Sequence, residues 1–191
     1  MTGKFVVLSY YAYFVLFLLV EFVFTRFRLG SGGKGAREER LSFLFFFVAP
    51  FVGMFLWMTL LSLDRIPANP SWPQWALGYA IGFLGFAIRI IAKRTLGRFF
   101  TVRLQLEKDH EVVDQGIYGA VRHPLYLGFI LEWVAPPLIL GSPAGFLFVT
   151  LPIVIGVLQR IPREEALLQL GLGEKYRAYM GKTKRLIPGV W

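Results

Sequence analysis

Long apolar stretches separated by shorter polar ones run along the chain. A helix needs about 20 predominantly apolar residues to cross a bilayer. Three stretches have about that length and two more are shorter: 5–24, 41–63, 75–92, 126–140 and 144–158. The pattern predicts an all-α integral membrane protein with about five transmembrane helices.

Glycine and proline positions add detail to these helices. Residues 141–143, a Gly-Ser-Pro sequence between the last two stretches, are typical of a tight turn and predict a helical hairpin. Pro50 lies inside the second stretch and predicts a kink there. Gly78 and Gly82 are four residues apart, a spacing that allows a neighbouring helix to approach closely.

The composition supports a membrane protein and excludes several kinds of site. Apolar residues make up 55% of the 191 residues and charged residues 17%, which is more apolar surface than a water-soluble domain of this size can bury. Because the chain has no cysteine, it has no disulfide framework, no thiolate zinc site and no thiol nucleophile. With only two histidines, we expect no metal site. The first apolar stretch lacks a small-residue cleavage site, so we interpret it as a retained helix.

Basic residues are distributed unevenly about the predicted helices. In a five-helix arrangement, eighteen of them lie on one side of the membrane, against Lys4 and Arg65 on the other. Cytoplasmic loops carry such an excess, so we expect the amino terminus outside and the carboxyl terminus inside. The polar stretches 93–125 and 159–191 then face the cytoplasm together. The net charge of +9 suits contact with anionic membrane lipids, and we expect no nucleic-acid partner.

We expect one membrane domain over residues 1–191. Its first part, 1–92, holds three helices, and 93–191 holds a connector, the hairpin and the carboxyl-terminal helices. The glycine-rich stretch 30–35 superficially suggests a phosphate-binding loop. Since it lacks the Walker spacing and a preceding strand, we interpret it as a flexible linker.

Both histidines of the chain lie in the connector before the fourth helix. Pro124 fits the first turn of that helix, where its missing N–H costs nothing. A helix amino terminus offers free N–H groups and the positive end of the helix dipole, which suit a ligand carboxylate. Arg122 and His123 stand just before it. In a purely structural alternative, Arg122 reaches lipid head groups and His123 only caps the helix.

A second set of polar residues follows the hairpin. Glu164 and Leu168 are four residues apart and share a helix face, which puts an acid on the apolar stripe. An acid on an inward face is costly unless it is paired or used. Glu164 is therefore either a site residue or the partner of Arg160 or Arg163 in a structural ion pair.

The last helical segment carries a pair of tyrosines. Tyr176 and Tyr179 are three residues apart and share a helix face. Gly171 and Gly173 precede them, and both glycines are expected to break the helix at this point.

Taken together and in order, these motifs resemble the isoprenylcysteine carboxyl methyltransferase family and its relatives, the membrane phospholipid methyltransferases. The family pattern is His-x-Leu-Val, Gly-x-Tyr, Arg-His-Pro-x-Tyr-x-Gly, a helical hairpin, Arg-x-x-x-Glu-Glu-x-x-Leu and Phe-Gly-x-x-Tyr-x-x-Tyr. The chain supplies these elements in the same order and spacing, at 110–113, Gly116, Tyr118, 122–128, Arg160, Glu164, Glu165, Leu168, Gly173, Tyr176 and Tyr179. Two positions differ, since Val112 replaces the usual leucine and Leu172 the usual phenylalanine.

The resemblance implies that the connector and the carboxyl-terminal helices enclose S-adenosylmethionine, the methyl donor, beneath the membrane. It assigns donor binding to ten residues, which are His110, Glu111, Val112, Val113, Tyr118, His123, Pro124, Leu125, Tyr126 and Glu164. It assigns to Arg160 the positioning of a substrate carboxylate.

The implied reaction is methyl transfer to a lipophilic acceptor that enters sideways from the bilayer, and the carboxylate of an isoprenylated cysteine is the acceptor we expect. A carboxylate is already ionised at neutral pH, so the protein only has to orient the reactants and exclude water. A phospholipid amine or a small thiol is an alternative acceptor. An amine requires a base, for which Glu132 or Glu165 is the candidate.

Two other classes of protein remain possible. A nicotinamide-dependent sterol-type reductase has a similar connector, but the Arg-x-x-x-Glu-Glu element after the hairpin argues against it. A membrane scaffold without enzymatic activity has no need of inward-facing acids and aromatic residues in this order.

Overall fold

A computed structural model describes the backbone of residues 3–25, 36–100 and 110–191, and the side chains of 5–22, 48–100 and 110–191. These residues form helices and short loops, and the one β-type pairing among them is a parallel bridge between Val121 and Lys184. The predicted all-α class is confirmed. The linker predicted at 30–35 lies outside the described residues, as do residues 101–109 of the connector.

Six α-helices follow one another in the described part of the chain. They are α1 (Gly3–Thr25), α2 (Ala36–Ser62), α3 (Trp72–Leu96), α4 (Pro124–Ile139), α5 (Leu151–Leu172) and α6 (Glu174–Lys182). Short 3-10 turns at Gly97–Phe99 and Gly116–Gly119 lie between α3 and α4, and a π-helical turn at Phe146–Thr150 leads into α5.

The apolar helices have the character of a multi-pass membrane protein. Three are long and apolar enough to cross a bilayer, at Phe5–Phe22, Trp72–Phe99 and Phe146–Leu172. Two more apolar helices, Val48–Ser62 and Pro124–Ile139, are shorter. All five predicted helices are therefore present, with Pro50 inside α2 as expected, while the number of spans and the kink at Pro50 stay predictions.

Close packing of α3 on its neighbours depends on glycine. A Cβ atom on Gly78 would lie 2.9 Å from the backbone nitrogen of Ile139 in α4. A Cβ atom on Gly82 would lie 2.6 Å from the Tyr13 hydroxyl in α1. The predicted close approach at these glycines is confirmed, and it involves two different helices.

The predicted hairpin between α4 and α5 is present. Gly141 adopts a φ of +58°, a left-handed conformation that favours glycine, and its carbonyl accepts from the Asn69 N–H at 3.0 Å. The Thr150 hydroxyl donates to the carbonyl of Trp133 at 2.8 Å, which joins the two arms of the hairpin.

The second arm of the hairpin is longer than the apolar stretch 144–158. Helix α5 continues through Pro162 to Leu172, so Arg160 and Glu164 lie on the same helix as that stretch. The helix ends at Gly173, whose φ is +57°. The predicted break between the Glu164 and Tyr176 groups is confirmed at Gly173, while Gly171 remains helical.

A buried group of charges joins three of the helices. Arg89 in α3 forms ion pairs with Glu21 in α1 and Glu132 in α4. The Tyr13 hydroxyl donates to the carbonyl oxygen of Glu132 at 3.1 Å, which adds a second link between α1 and α4. Because a buried charge is costly without a partner, these contacts explain how Glu132 is accommodated in an apolar helix.

Candidate active site

The amino terminus of α4 lies where the connector meets the carboxyl-terminal part of the chain. Pro124 occupies the first helical turn, as the sequence predicts, and His123 is the N-cap residue. The His123 side chain makes no capping hydrogen bond to the helix, so the alternative in which it only caps α4 is wrong. Its ring lies 3.3 Å from Glu165 Oε1 in α5 instead.

A hydrogen-bonded chain of three side chains connects α4 with α5. The Nε–H of Arg160 donates to the hydroxyl of Tyr126 at 2.8 Å. That hydroxyl donates in turn to Oε2 of Glu164 at 2.5 Å. Arg160 is buried and Glu164 half-buried, so these charge-assisted bonds form in surroundings where they are strong. The structure thus brings Arg160, which is predicted to position the substrate carboxylate, together with Tyr126 and Glu164, which are predicted to bind the methyl donor.

The Tyr126 hydroxyl changes the interpretation of Glu164. The sequence leaves open a direct structural ion pair between Glu164 and Arg160 or Arg163. The tyrosine hydroxyl lies between the charges of Arg160 and Glu164 and bridges them. Arg163 is exposed. Arg160 and Glu164 are therefore coupled through a neutral side chain that donates to one and accepts from the other.

Glu165 ties the connector and the end of the chain to α5. Its side chain is 2% exposed. Oε1 accepts from the Nε–H of Arg122 at 2.9 Å, and Oε2 accepts from Nε and Nη2 of Arg185 at 3.0 and 2.7 Å. The Arg122 guanidinium also donates to the backbone carbonyls of Met180 and Thr183. Arg122 is thus a structural residue, and the alternative in which it reaches lipid head groups is wrong.

Tyrosines line the side of this region formed by the connector and α6. Tyr118 is buried and its hydroxyl has no hydrogen-bond partner among the described residues. Burial and the nearby charge of Glu164 raise the pKa of Tyr118 well above its usual value, so the hydroxyl stays protonated. The Tyr179 hydroxyl donates to the Tyr118 carbonyl at 2.7 Å, and the Tyr176 and Tyr179 rings lie 5.8 Å apart. The predicted shared face of this pair is confirmed.

The remaining residues assigned to donor binding lie on the connector and at the start of α4. The His110 ring packs on the Phe99 ring with 4.7 Å between centroids, just beyond the end of α3. Glu111 is exposed, whereas Val112, Val113 and Leu125 are half-buried. Their part in donor binding stays a prediction.

Two residues of this region escaped assignment from the sequence. The sequence indicates Glu165 as a motif position and a candidate base, and it does not indicate that this side chain binds Arg122 and Arg185. Arg185 carried no motif, and its place beside Glu165 follows only from the path of the chain after α6. Among the described residues, no group of three histidine, aspartate or glutamate side chains is placed to hold a metal ion.

Comparison with known proteins identifies relatives. The model of the "Isoprenylcysteine carboxyl methyltransferase (ICMT) family" matches residues 79–170. A "Probable protein-S-isoprenylcysteine O-methyltransferase" from Oryza sativa subsp. indica is 32% identical over 114 residues, which cover 59% of this chain and 60% of the rice protein. The "Protein-S-isoprenylcysteine O-methyltransferase" of Schizosaccharomyces pombe is 36% identical over 113 residues, which cover 57% of this chain and 48% of the yeast protein.

The fold has a solved counterpart. The structure of the "eukaryotic intramembrane Ras methyltransferase ICMT" superposes with a TM-score of 0.63 over 98% of this chain and 68% of that one, at 21% identity. This similarity confirms the predicted membrane fold. The sequence matches span about half to three fifths of the relatives' length. The residues that match the isoprenylcysteine carboxyl methyltransferase family model, 79–170, include Tyr126, Arg160 and Glu164, in agreement with the resemblance that the motifs indicate.

Proposed function

We propose that this protein transfers a methyl group from S-adenosylmethionine to a lipophilic, membrane-associated acceptor, and that the acceptor group is the carboxylate of an isoprenylated cysteine. The names of the relatives describe this reaction, and the chain of Arg160, Tyr126 and Glu164 is the observation that carries the proposal. In the proposed reaction Arg160 would bind the anionic acceptor, and Glu164, on the other side of Tyr126, would accept from hydroxyl or amine groups of the methyl donor.

The residues around Tyr118 fit a polar donor molecule. A buried hydroxyl without a partner is costly, and a ligand oxygen or nitrogen near Tyr118 would satisfy it. Glu164 would accept from ribose hydroxyls or an amino group, and the start of α4 would face a carboxylate. S-adenosylmethionine supplies a methyl group that its own sulfonium has already activated. The task of the protein is then to hold the reactants in line and to exclude water.

The bond to Tyr126 orients the planar guanidinium of Arg160. Since Nε donates to the tyrosine hydroxyl, a substrate carboxylate would meet the Nη edge of the planar guanidinium. One arginine would thus fix the acceptor and, through Tyr126, the acid that binds the donor. This coupling would align the nucleophilic oxygen with the methyl group.

The surroundings of the two candidate bases favour a carboxylate acceptor over an amine. Glu132 is ion-paired with Arg89, and Glu165 accepts from both Arg122 and Arg185. Glu165 is a poor proton acceptor, because protonation would break its ion pairs with both arginines. Glu132 belongs to the buried group of charges with Arg89 and Glu21, whereas the proposed site is built on Arg160, Tyr126 and Glu164. A carboxylate nucleophile needs no base, so it suits this site better than a phospholipid amine does.

The acceptor would reach the site from the bilayer. Large apolar side chains on the outer faces of the helices are exposed, as at Leu8 in α1, Phe55 in α2 and Leu147 before α5. Such faces are stable only against lipid tails, which therefore surround the protein. We infer an orientation with the amino terminus outside and the site on the cytoplasmic side, since the basic residues follow that arrangement.

Transfer and binding assays on purified protein would test the proposal. Labelled S-adenosylmethionine is supplied with a farnesylated cysteine analogue, with a phospholipid amine or with a small thiol, and binding of a nicotinamide cofactor is measured in parallel. We expect label in the farnesylated analogue as a base-labile methyl ester. Transfer of label only to the amine or only to the thiol would show that the acceptor is not an isoprenylcysteine carboxylate. Binding of the nicotinamide cofactor without binding of S-adenosylmethionine would show that the protein is not a methyltransferase.

A further inference from the structure

The chain folds back onto the connector after α6. We call residues 183–191 the carboxyl-terminal strap. The backbone N–H of Arg122 donates to the carbonyl of Lys184 at 2.8 Å, and that of His123 donates to the carbonyl of Arg185 at 2.9 Å. These two bonds hold the strap against His123, the N-cap residue of α4, and against Arg122 before it. The strap therefore supports the backbone at the predicted donor-binding end of this helix.

The strap is itself fixed on the protein. The Leu186 side chain is buried, and its N–H donates to the carbonyl of Trp191 at 2.7 Å, which closes the strap into a compact turn. The Arg185 guanidinium lies 5.3 Å from the centre of the Trp191 ring. Stacking on an aromatic ring limits the positions that the guanidinium can take.

Among the described residues, Oε2 of Glu165 accepts two side-chain hydrogen bonds, and both come from Arg185. The other oxygen of Glu165 accepts from Arg122 and lies within hydrogen-bond reach of His123. The carboxylate is thus held from both sides, by the strap and by the connector. Glu165 is next to Glu164 on α5, so its contact with His123 links the start of α4 to the part of α5 that carries Glu164.

We propose that Arg185 is a positioning residue for methyl-donor binding, acting through Glu165 on His123 and the start of α4. This inference rests on the proposed function. Arg185 touches neither donor nor acceptor in this scheme. It sets the affinity for the donor, whereas the Arg160 side chain orients the acceptor.

The test measures donor binding and turnover in four purified proteins: wild type and the variants Arg185→Ala, Arg185→Lys and Lys182→Ala. Lys182 is the matched control, since it is an exposed basic residue at the end of α6. For Arg185→Ala we expect the Kd and KM for S-adenosylmethionine to rise about 10-fold or more, the scale of a lost hydrogen bond to a charged group. Arg185→Lys should lie between wild type and alanine, because an ammonium lacks the planar fork. Lys182→Ala should match wild type.

Turnover separates positioning from a loss of folded protein. At saturating donor, kcat for Arg185→Ala should stay near wild type, whereas partial unfolding would lower kcat and leave KM unchanged. An unchanged donor Kd in Arg185→Ala, or an equal rise in Lys182→Ala, would overturn the inference while leaving the proposed function intact. If the alanine variant does not fold, equal donor affinity in wild type and Arg185→Lys would overturn it. Wild type that binds no donor would refute the proposed function, and the inference with it.

Discussion

Replacing Arg160 with lysine tests whether one guanidinium serves two partners. The Arg160 side chain uses Nε for the Tyr126 hydroxyl and would use its Nη edge for the acceptor carboxylate. A lysine keeps the charge but has one ammonium group at the end of a flexible chain. It can approach the tyrosine or the acceptor, and it cannot reproduce both geometries. Arg160→Lys is therefore expected to lose one hydrogen bond to a charged group.

The size of the effect follows from that lost bond. Such a bond contributes about 1.5–3 kcal/mol, which corresponds to a decrease of about 10- to 150-fold in kcat/KM for the acceptor. Donor affinity should change much less, because Tyr126 still donates to Glu164. Arg160→Ala should be at least as impaired in turnover. Rates of methyl transfer to a farnesylated cysteine analogue give kcat/KM for the acceptor, and calorimetric titration with S-adenosylmethionine gives the donor affinity.

Arg163→Lys is the matched control, since Arg163 lies one turn further along α5 and is exposed. It should retain the turnover and the donor affinity of wild type. If Arg160→Lys also behaves as wild type, Arg160 does not hold a carboxylate through its planar fork. If instead donor affinity falls as far as turnover, Arg160 acts mainly on the donor side, and its assignment to the acceptor is wrong.

Three further predictions concern the donor, α6 and the membrane orientation. Glu164→Gln should weaken S-adenosylmethionine binding about 10- to 150-fold in a calorimetric titration, while thermal melts without donor show a folded protein. Tyr179→Phe should lower stability by about 0.5–1.5 kcal/mol in thermal melts. Burial raises the pKa of Tyr179 from its ordinary value of 10.0 to about 12, so the stability that this residue provides is present below pH 10 and lost as the pH rises through 12. Tyr179→Phe should therefore lose less stability than wild type as the pH rises from 10 to 12. An equal loss in both proteins would show that Tyr179 is not the titrating group. Reporter fusions should place the loop at Asn69 outside and Lys182 inside, and finding both on one side would refute the five-helix orientation.

Much of the fold follows from hydrophobic periodicity, because long apolar runs have few alternatives to a membrane helix. The limits of α1 and α3 follow from the apolar runs to within a few residues. The end of α5 does not follow in the same way. Arg160 and Glu164 end the apolar run, but the backbone hydrogen bonds of a helix do not depend on side-chain polarity, so the helix continues to the glycine that can adopt a positive φ.

In the candidate site, too, the sequence predicts the residues but not the contacts between them. Tyr126, Arg160 and Glu164 stand in motifs with fixed spacing, so the sequence marks them. Their connection through the tyrosine hydroxyl depends on how α4 and α5 pack, which the hairpin turn determines only in outline. Spacing along one helix cannot show which side chains of two helices meet.

The Glu165 network shows why the function of a charged residue depends on distant parts of the chain. From local sequence, Glu165 resembles a second acid available for proton transfer. The structure gives it two arginine partners, Arg122 from the connector and Arg185 from the strap, which lie 43 and 20 residues away. A carboxylate held by two guanidinium groups orients its neighbours and does not accept a proton at neutral pH. Of two adjacent glutamates, Glu165 therefore holds the connector and the strap against α5, whereas Glu164 accepts from Tyr126 and is the one that we propose to bind the methyl donor.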